Sequence, residues 1–230
     1  VSTHGIAWFP QYVNKDAFQT LRDNYGINTI RLAMYTNKSE GYGPDAVKKV
    51  QEGVKYATEL GMYVIIDWHI LNDGNPNQHK SEAKKFFTKM SKKYGSQKNA
   101  IYEICNEPNG NVTWNKQIKP YAKTMVKVIR KHSKNAVIVI GTPTWSQDVD
   151  IVAQSPLKGK NLMYALHFYA GTHKEWNQEK LKTAHKKGLP VIVTEFSICD
   201  ASGNGALDKA SGNQWLRLLD KYNISYTCLL

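Results

Sequence analysis

The 230-residue chain has no run of 18 or more apolar residues, so it offers no candidate membrane-spanning helix, and no charged-then-apolar leader opens it. It also lacks an H-E-x-x-H pair, a glycine-rich nucleotide loop and any closely spaced Cys/His set. These absences point toward acid/base or nucleophilic carboxylate chemistry. The three cysteines, Cys105, Cys199 and Cys228, are odd in number and cannot make a fully paired framework. Cys105 reads as core, whereas Cys199 and Cys228 fall on or after the last two strand-like segments, where a barrel could bring them together as a disulfide. Acids are scarce: 31 Lys and Arg face 19 Asp and Glu, a net charge of +12. The lysines are scattered over helical stretches such as "KSEAKKFFTKMSKK" without a dense basic block, as on solvated helix faces. Neither a nucleic-acid nor a membrane partner is expected.

What the chain does have is alternation. Short β-rich runs occupy 28–35 (NTIRLAMY), 62–69 (MYVIIDWH), 100–107 (AIYEICNE), 136–141 (AVIVIG), 162–169 (LMYALHFY), 190–195 (PVIVTE) and 224–228 (ISYTC), and amphipathic helical patterns fill the intervals. Counting the opening "VSTHG" gives eight strand segments. Strict β/α alternation favours a parallel sheet, and eight units favour closure. The expected fold is a (β/α)8 TIM barrel forming a single domain over 1–230. It reads as truncated at its N-terminal first strand and as lacking an eighth helix.

Side chains alternate across a strand, so one parity faces the barrel interior. On the odd-numbered side lie Arg31; Asp67 and His69; Glu103, Cys105 and Glu107; His167 and Tyr169; and Val193 and Glu195. Charged and titratable groups thus collect toward the C-terminal strand ends, where active sites of such barrels lie. Glu103 sits deeper by about 13 Å of strand rise and is expected to pair with an interior cation. Two glutamates on separate strands suit glycoside hydrolysis, which needs one carboxylic acid to protonate the leaving oxygen and one carboxylate to attack or to activate water. Arg31 beside Glu195 would keep that carboxylate ionised, and burial of Glu107 would keep it protonated. Trp8, Tyr35, Trp68, Trp145 and Trp176 are candidate stacking surfaces for a sugar ring. Trp68 has helix-facing parity, and Trp176 lies in a helical stretch.

The stretches "DWHILNDGNPN", "YEICNEPNG", "GTPTWSQDVD", "YALHFYAGTH" and "DASGNG" closely resemble the glycoside hydrolase family 5 endoglucanases of the bacterial and invertebrate cellulase type, over nearly the whole chain. The resemblance implies an endo-β-1,4-glucanase that acts by retaining double displacement, with Glu107 as acid/base, Glu195 as nucleophile, and neither a metal nor an organic cofactor. It further implies that Arg31 holds the nucleophile, Asn106 binds the sugar 2-hydroxyl, and His167 and Tyr169 orient the glutamates. His4 and His69 would line the central subsite, with Trp8 and Tyr35 on the glycone side, Trp145 on the aglycone side, and Ala201 of "DASGNG" also touching substrate. A secreted monomer acting on cellulose or another β-1,4-glucan is expected. Two departures stand out. The nucleophile is followed by Phe196-Ser197 where the family usually has an aromatic residue and glycine, and Leu229 occupies the position of a tryptophan that floors the cleaved subsite. These leave open a catalytically impaired β-glucan-binding barrel, and a mannanase or xyloglucanase would share the same acid and nucleophile.

Overall fold

The computed structural model describes residues 1–229. Six parallel strands run in sequence order, β1 (Thr29–Tyr35), β2 (Tyr63–His69), β3 (Ala100–Glu103), β4 (Ile138–Ile140), β5 (Leu162–Tyr169) and β6 (Val191–Ser197). The helices are α1 (Lys15–Tyr25), α2 (Pro44–Glu59), α3 (Lys80–Tyr94), α4 (Lys119–Arg130), α5 (Pro143–Ser146), which is a single turn with left-handed backbone at 144–146, α6 (Val149–Val152), α7 (Glu175–Lys186) and α8 (Lys209–Lys221). Local chemistry sets their ends. The Asn14 side chain caps α1 by accepting from the Ala17 N–H at 2.8 Å, and Gly26 ends it in the left-handed region at φ 65°. On α4, Tyr121, Ala122, Met125 and Ile129 repeat at helical spacing and are all buried.

The expected first and eighth strands are present only as single parallel bridges. Ser2 pairs with Arg31 on one side and with Leu229 on the other, and Tyr226 pairs with Val193. The Ser2 N–H donates to Cys228 O at 2.7 Å, and the Leu229 N–H to Phe196 O at 2.8 Å. The backbone groups of these bridges join β1 and β6 into a ring. Beside this seam an apolar groove of about 720 Å³ lies open, lined by Val1, Phe9, Tyr12, Phe18, Leu21, Ile30 and Leu229 among others. Among the described residues no helix follows the last bridge, and none is long and apolar enough to cross a membrane.

Two apolar layers follow from strand alternation. Ile30, Leu32 and Met34 of β1, Val64, Ile66 and Trp68 of β2, and Tyr164, Leu166 and Phe168 of β5 face the helices in the main core. Trp68 there packs on Tyr42, Phe86 and Phe87. A small interior floor of Val139, Ala165 and Ile192, with Ile101, Val137 and Met163, plugs the N-terminal end of the ring. Polar groups occupy the interior above it.

The structure corrects the expected parity in two places. β3 stops at Glu103, so Cys105 turns outward into the helix-facing core rather than inward. The backbone leaving β3 bonds instead to the end of β2, with the Asn106 N–H donating to Trp68 O and the Glu107 N–H to Ile70 O. Its freed carbonyls find side chains: Tyr121 Oη donates to Ile104 O at 2.8 Å and Ser146 Oγ to Asn106 O at 2.6 Å. On β6 the register against β5 slips between Ala165 and His167, so three steps on β6 match two on β5. This bulge puts Val193 in the helix-facing core, while Thr194 joins Glu195 on the site side. The expected disulfide is absent: all three cysteines are free, because Cys199 Sγ turns to Ser197 Oγ while Cys228 packs against the main core.

The turn that carries Glu107 passes close over Gly141, just beyond β4. A Cβ there would lie 2.2 Å from Cys105 O and 2.9 Å from Asn106 O, both backbone atoms that cannot rotate away. Gly141→Ala is expected to destabilise the protein by about 1–3 kcal/mol, the usual cost of overpacking. Denaturant midpoints of the two proteins check this; equal midpoints would show that the turn yields freely.

Candidate active site

Arg31, fully buried on β1, lies at the centre of the site. Its Nε and Nη2 donate to the two oxygens of Glu103 at 2.7 and 3.2 Å, Nη1 donates to Glu195 Oε2 at 3.0 Å, and Nη2 lies 3.0 Å from Asp67 Oδ2. The same guanidinium donates to Ser2 Oγ and, at 2.6 Å, to Asn106 Oδ1. One cation thus serves three buried carboxylates, and Glu103 has the interior cation expected for it.

This surplus of negative charge divides the carboxyl groups. Burial acts to raise Glu195, but the charges of His167 and Arg31 outweigh it and hold Glu195 at about 2. Glu103 is likewise held at about 2, with Arg31 overcoming its burial. Both oxygens of Glu195 are fixed, Oε2 by Arg31 and Oε1 by Tyr169 Oη, which donates at 2.7 Å. Glu107 has no guanidinium, and burial together with the charge of Glu195 raises it despite its 2.9 Å contact with His167 Nδ1. Burial acts to lower His167, but the carboxylate of Glu103, 3.8 Å from Nε2, the hydrogen bond to Glu107 at Nδ1 and the charge of Glu195 overcome it and raise His167 to about 9. The two shifts describe one proton shared within the Glu107–His167 pair.

The carboxylates are close. Oxygens of Glu107 and Glu195 and a ring nitrogen of His167 all lie within 4.8 Å of one another. Such a trio could chelate a cation, but Arg31 and Tyr169 already direct donors at the same Glu195 oxygens, so a second positive charge would meet the guanidinium. The spacing suits direct attack by one carboxylate, for which about 5–5.5 Å is typical, and leaves no room for the attacking water of an inverting pair.

Above the pair opens a cleft of about 270 Å³. His4, Tyr35, His69, Trp145 and Ala201 line it with Glu107, Tyr169, Glu195 and Leu229. Trp8 stacks on Tyr35 with ring centroids 4.7 Å apart, and both Trp8 and Trp145 keep nearly half their surface open to solvent. Trp145 is held by an unusual backbone: Thr144, Trp145 and Ser146 all have positive φ, at 57°, 54° and 56°. Side chains rarely adopt this conformation, and its persistence here follows from anchors to the turn that carries Glu107: the Trp145 N–H donates to Pro108 O, and Ser146 Oγ to Asn106 O. His69 is oriented by Asp67, 2.6 Å from its Nδ1. Arg31, Asn106 and His167 lie behind the cleft wall, not on its surface. Trp68 and Trp176 are outside the cleft, Trp68 in the core and Trp176 exposed on α7.

The sequence reading missed Thr194, whose hydroxyl contacts both His167 and Glu103 at 2.8 and 2.7 Å. Simple alternation hides it, since only the bulge puts adjacent residues Thr194 and Glu195 on the same side. The left-handed turn at Trp145 also carries no sequence signal, having no glycine.

The shifts set a pH profile for stability. Depressed carboxyls such as Glu103 and Glu195 contribute stability that is present above their unfolded value of about 4.3 and is lost as pH falls toward about 2. His167, raised to about 9, contributes stability that is full below about 6.5 and is lost as pH rises through about 9. Denaturant midpoints should therefore plateau between about pH 5 and 6.5 and decline on both sides, with His167→Asn flattening the alkaline decline.

Comparison with known proteins agrees with this geometry. Residues 1–229 match the family model described as cellulase, glycosyl hydrolase family 5. An endoglucanase of Clostridium saccharobutylicum is 48% identical over 230 residues, covering 99% of this chain and 51% of that protein. Endoglucanase 5 of Pectobacterium carotovorum subsp. carotovorum is 47% identical over 228 residues, covering 98% of this chain and 45% of its own. The chain thus spans about half the length of the curated relatives it matches. Among solved structures, cellulase Cel5C_n superposes with a TM-score of 0.95 at 41% identity, covering 99% of this chain and 73% of that one. The catalytic domain of Thermobifida fusca endoglucanase Cel5A, in a variant complexed with cellotetraose, gives a TM-score of 0.93 at 34% identity, covering 99% of this chain and 77% of that one. A match over essentially every residue, the turn that carries Glu107 included, places the chain in the cellulase family, glycosyl hydrolase family 5.

Proposed function

We propose that the chain is a single catalytic domain that hydrolyses internal β-1,4-glucosidic bonds of cellulose or a related β-glucan with retention of configuration. The observation that carries this reading is the carboxyl pair within 4.8 Å, one acid ionised and the other raised, beneath an aromatic-walled cleft. Similarity to endoglucanases, one related structure holding cellotetraose, supports the substrate class.

Glu195 is the nucleophile. Fixed by Arg31 and Tyr169, its carboxylate attacks the anomeric carbon while Glu107 gives its proton to the departing glycosidic oxygen, leaving a glycosyl ester on Glu195. Water then attacks the same carbon, the ester bond breaks, and Glu107 takes the water's proton, which restores both groups. Trp145 lines the cleft on one side with nearly half its surface open to a sugar ring, and on the other Tyr35 lines it, backed by the stacked and half-exposed ring of Trp8 just outside it. Asn106, buried behind the cleft wall, reaches the cleft through its 3.3 Å contact with the ring of His69, which lines it. Leu229 gives the floor of the cleft an aliphatic side chain in place of a stacking ring. A polymeric substrate is too large to enter a cell, which supports a secreted enzyme, and action as a monomer is part of the same reading.

Glu107→Gln and Glu195→Gln are each expected to lower carboxymethylcellulose hydrolysis by about a hundredfold or more, in line with losses on removing an acid–base catalyst. Proton NMR during cello-oligosaccharide cleavage by the wild type should show the β-anomer first. Full activity in either variant, or initial release of the α-anomer, contradicts the assignment; cellulose binding without turnover would instead mark a binding barrel.

A further inference from the structure

The Thr194 hydroxyl bridges His167 and Glu103, with its oxygen 2.8 Å from His167 Nε2 and 2.7 Å from Glu103 Oε1. A hydroxyl has one proton to donate. Glu103 cannot supply the proton of that contact, because Arg31 donates to both of its oxygens and keeps it a carboxylate, an acceptor only. Thr194 therefore donates to Glu103. Its oxygen then offers His167 lone pairs alone, so His167 Nε2 must carry a proton. The other ring nitrogen, Nδ1, faces Glu107 Oε1 at 2.9 Å.

We propose that Thr194 and Glu103 are positioning residues that lock His167 in its Nε2–H form, so that the exchangeable proton of the Glu107–His167 pair lies on the Nδ1···Oε1 axis, where Glu107 can deliver it. This rests on the glucanase reading, which makes Glu107 the acid. With Nε2–H fixed, a neutral ring presents a lone pair to Glu107, and an ionised Glu107 would face it in repulsion. The pair therefore resists losing its last proton. The surroundings act the same way: Glu103 of β3 and Glu195 of β6 are held negative, Asp67 of β2, which burial raises, lies beside Arg31, and Arg31 of β1 is the buried countercharge. Tyr169 of β5 is a neutral donor to Glu195, and His69 of β2 is engaged with Asp67. Without the Thr194 hydroxyl the ring can invert to Nδ1–H, donate to an ionised Glu107 and shed the Nε2 proton, since the remaining acceptor, Glu103, is 3.8 Å away.

Thr194→Val conserves the shape of a fully buried side chain and deletes only the bridge. In pH profiles of cello-oligosaccharide hydrolysis it should move the alkaline limb of kcat/KM down by about one pH unit, the worth of one buried hydrogen bond to a charged pair. At neutral pH kcat should fall while KM changes little, and Thr194→Ser should restore both. Nitrogen-15 NMR of histidine-labelled protein reads the lock directly, with the His167 signals assigned by their loss in His167→Asn. Wild-type Nε2 should stay protonated through the titration, whereas in Thr194→Val it should become unprotonated at alkaline pH. An unmoved limb in a folded Thr194→Val protein, or an Nδ1–H ring in the wild type, overturns the proposal. If Thr194→Val fails to fold, the wild-type ring spectrum and the Thr194→Ser profile still decide it. A wild type with no turnover would overturn the glucanase reading, and the ring spectrum would then judge the lock by itself.

Discussion

One buried guanidinium among three buried carboxylates is the interaction on which the rest of this structure depends. Arg31 cannot shed its charge in the interior, so Glu103 and Glu195, which accept its hydrogen bonds, are held ionised, whereas Glu107, which it does not reach, is raised, and Asp67 is raised by its burial despite lying beside the guanidinium. Taking these charges out of water is costly, and the arrangement persists because nearly every lone pair is met. Removing one partner would leave a buried charge uncompensated. The different chemical characters of Glu107 and Glu195 are therefore a consequence of where one arginine points.

The scaffold serves that arrangement by departing from regularity where it matters. Ending β3 at Glu103 frees the next four residues to turn, which puts Asn106 on Arg31 and Glu107 on His167. The bulge in β6 places two consecutive polar residues, Thr194 and Glu195, at the site. A left-handed turn without glycine presents Trp145 at the cleft, tied to the carbonyls of Asn106 and Pro108. Each irregularity bonds to another part of the site, so the strain is held locally.

Much of this was legible in the sequence. Alternation along NTIRLAMY and MYVIIDWH placed Arg31, Asp67 and His69 on the interior correctly, because β1 and β2 pair without interruption over seven residues. The same rule misplaced Cys105 and Val193 and overlooked Thr194, because an early strand end and a bulge arise from tertiary pairing that no local pattern encodes. The terminal strands were anticipated but shrink to single bridges. Pairing of Cys199 with Cys228 was inferred from proximity in a barrel, and proximity of segments does not fix where side chains point.

The most direct test of the account is a carbon-13 NMR titration of the glutamate side-chain carboxyls, with Glu107 and Glu195 assigned by their Gln variants. The account predicts that Glu195 remains ionised down to about pH 2, while Glu107 keeps its proton above the ordinary carboxyl range of about 4.3. Coincident titrations, or Glu195 holding the proton in place of Glu107, would contradict it.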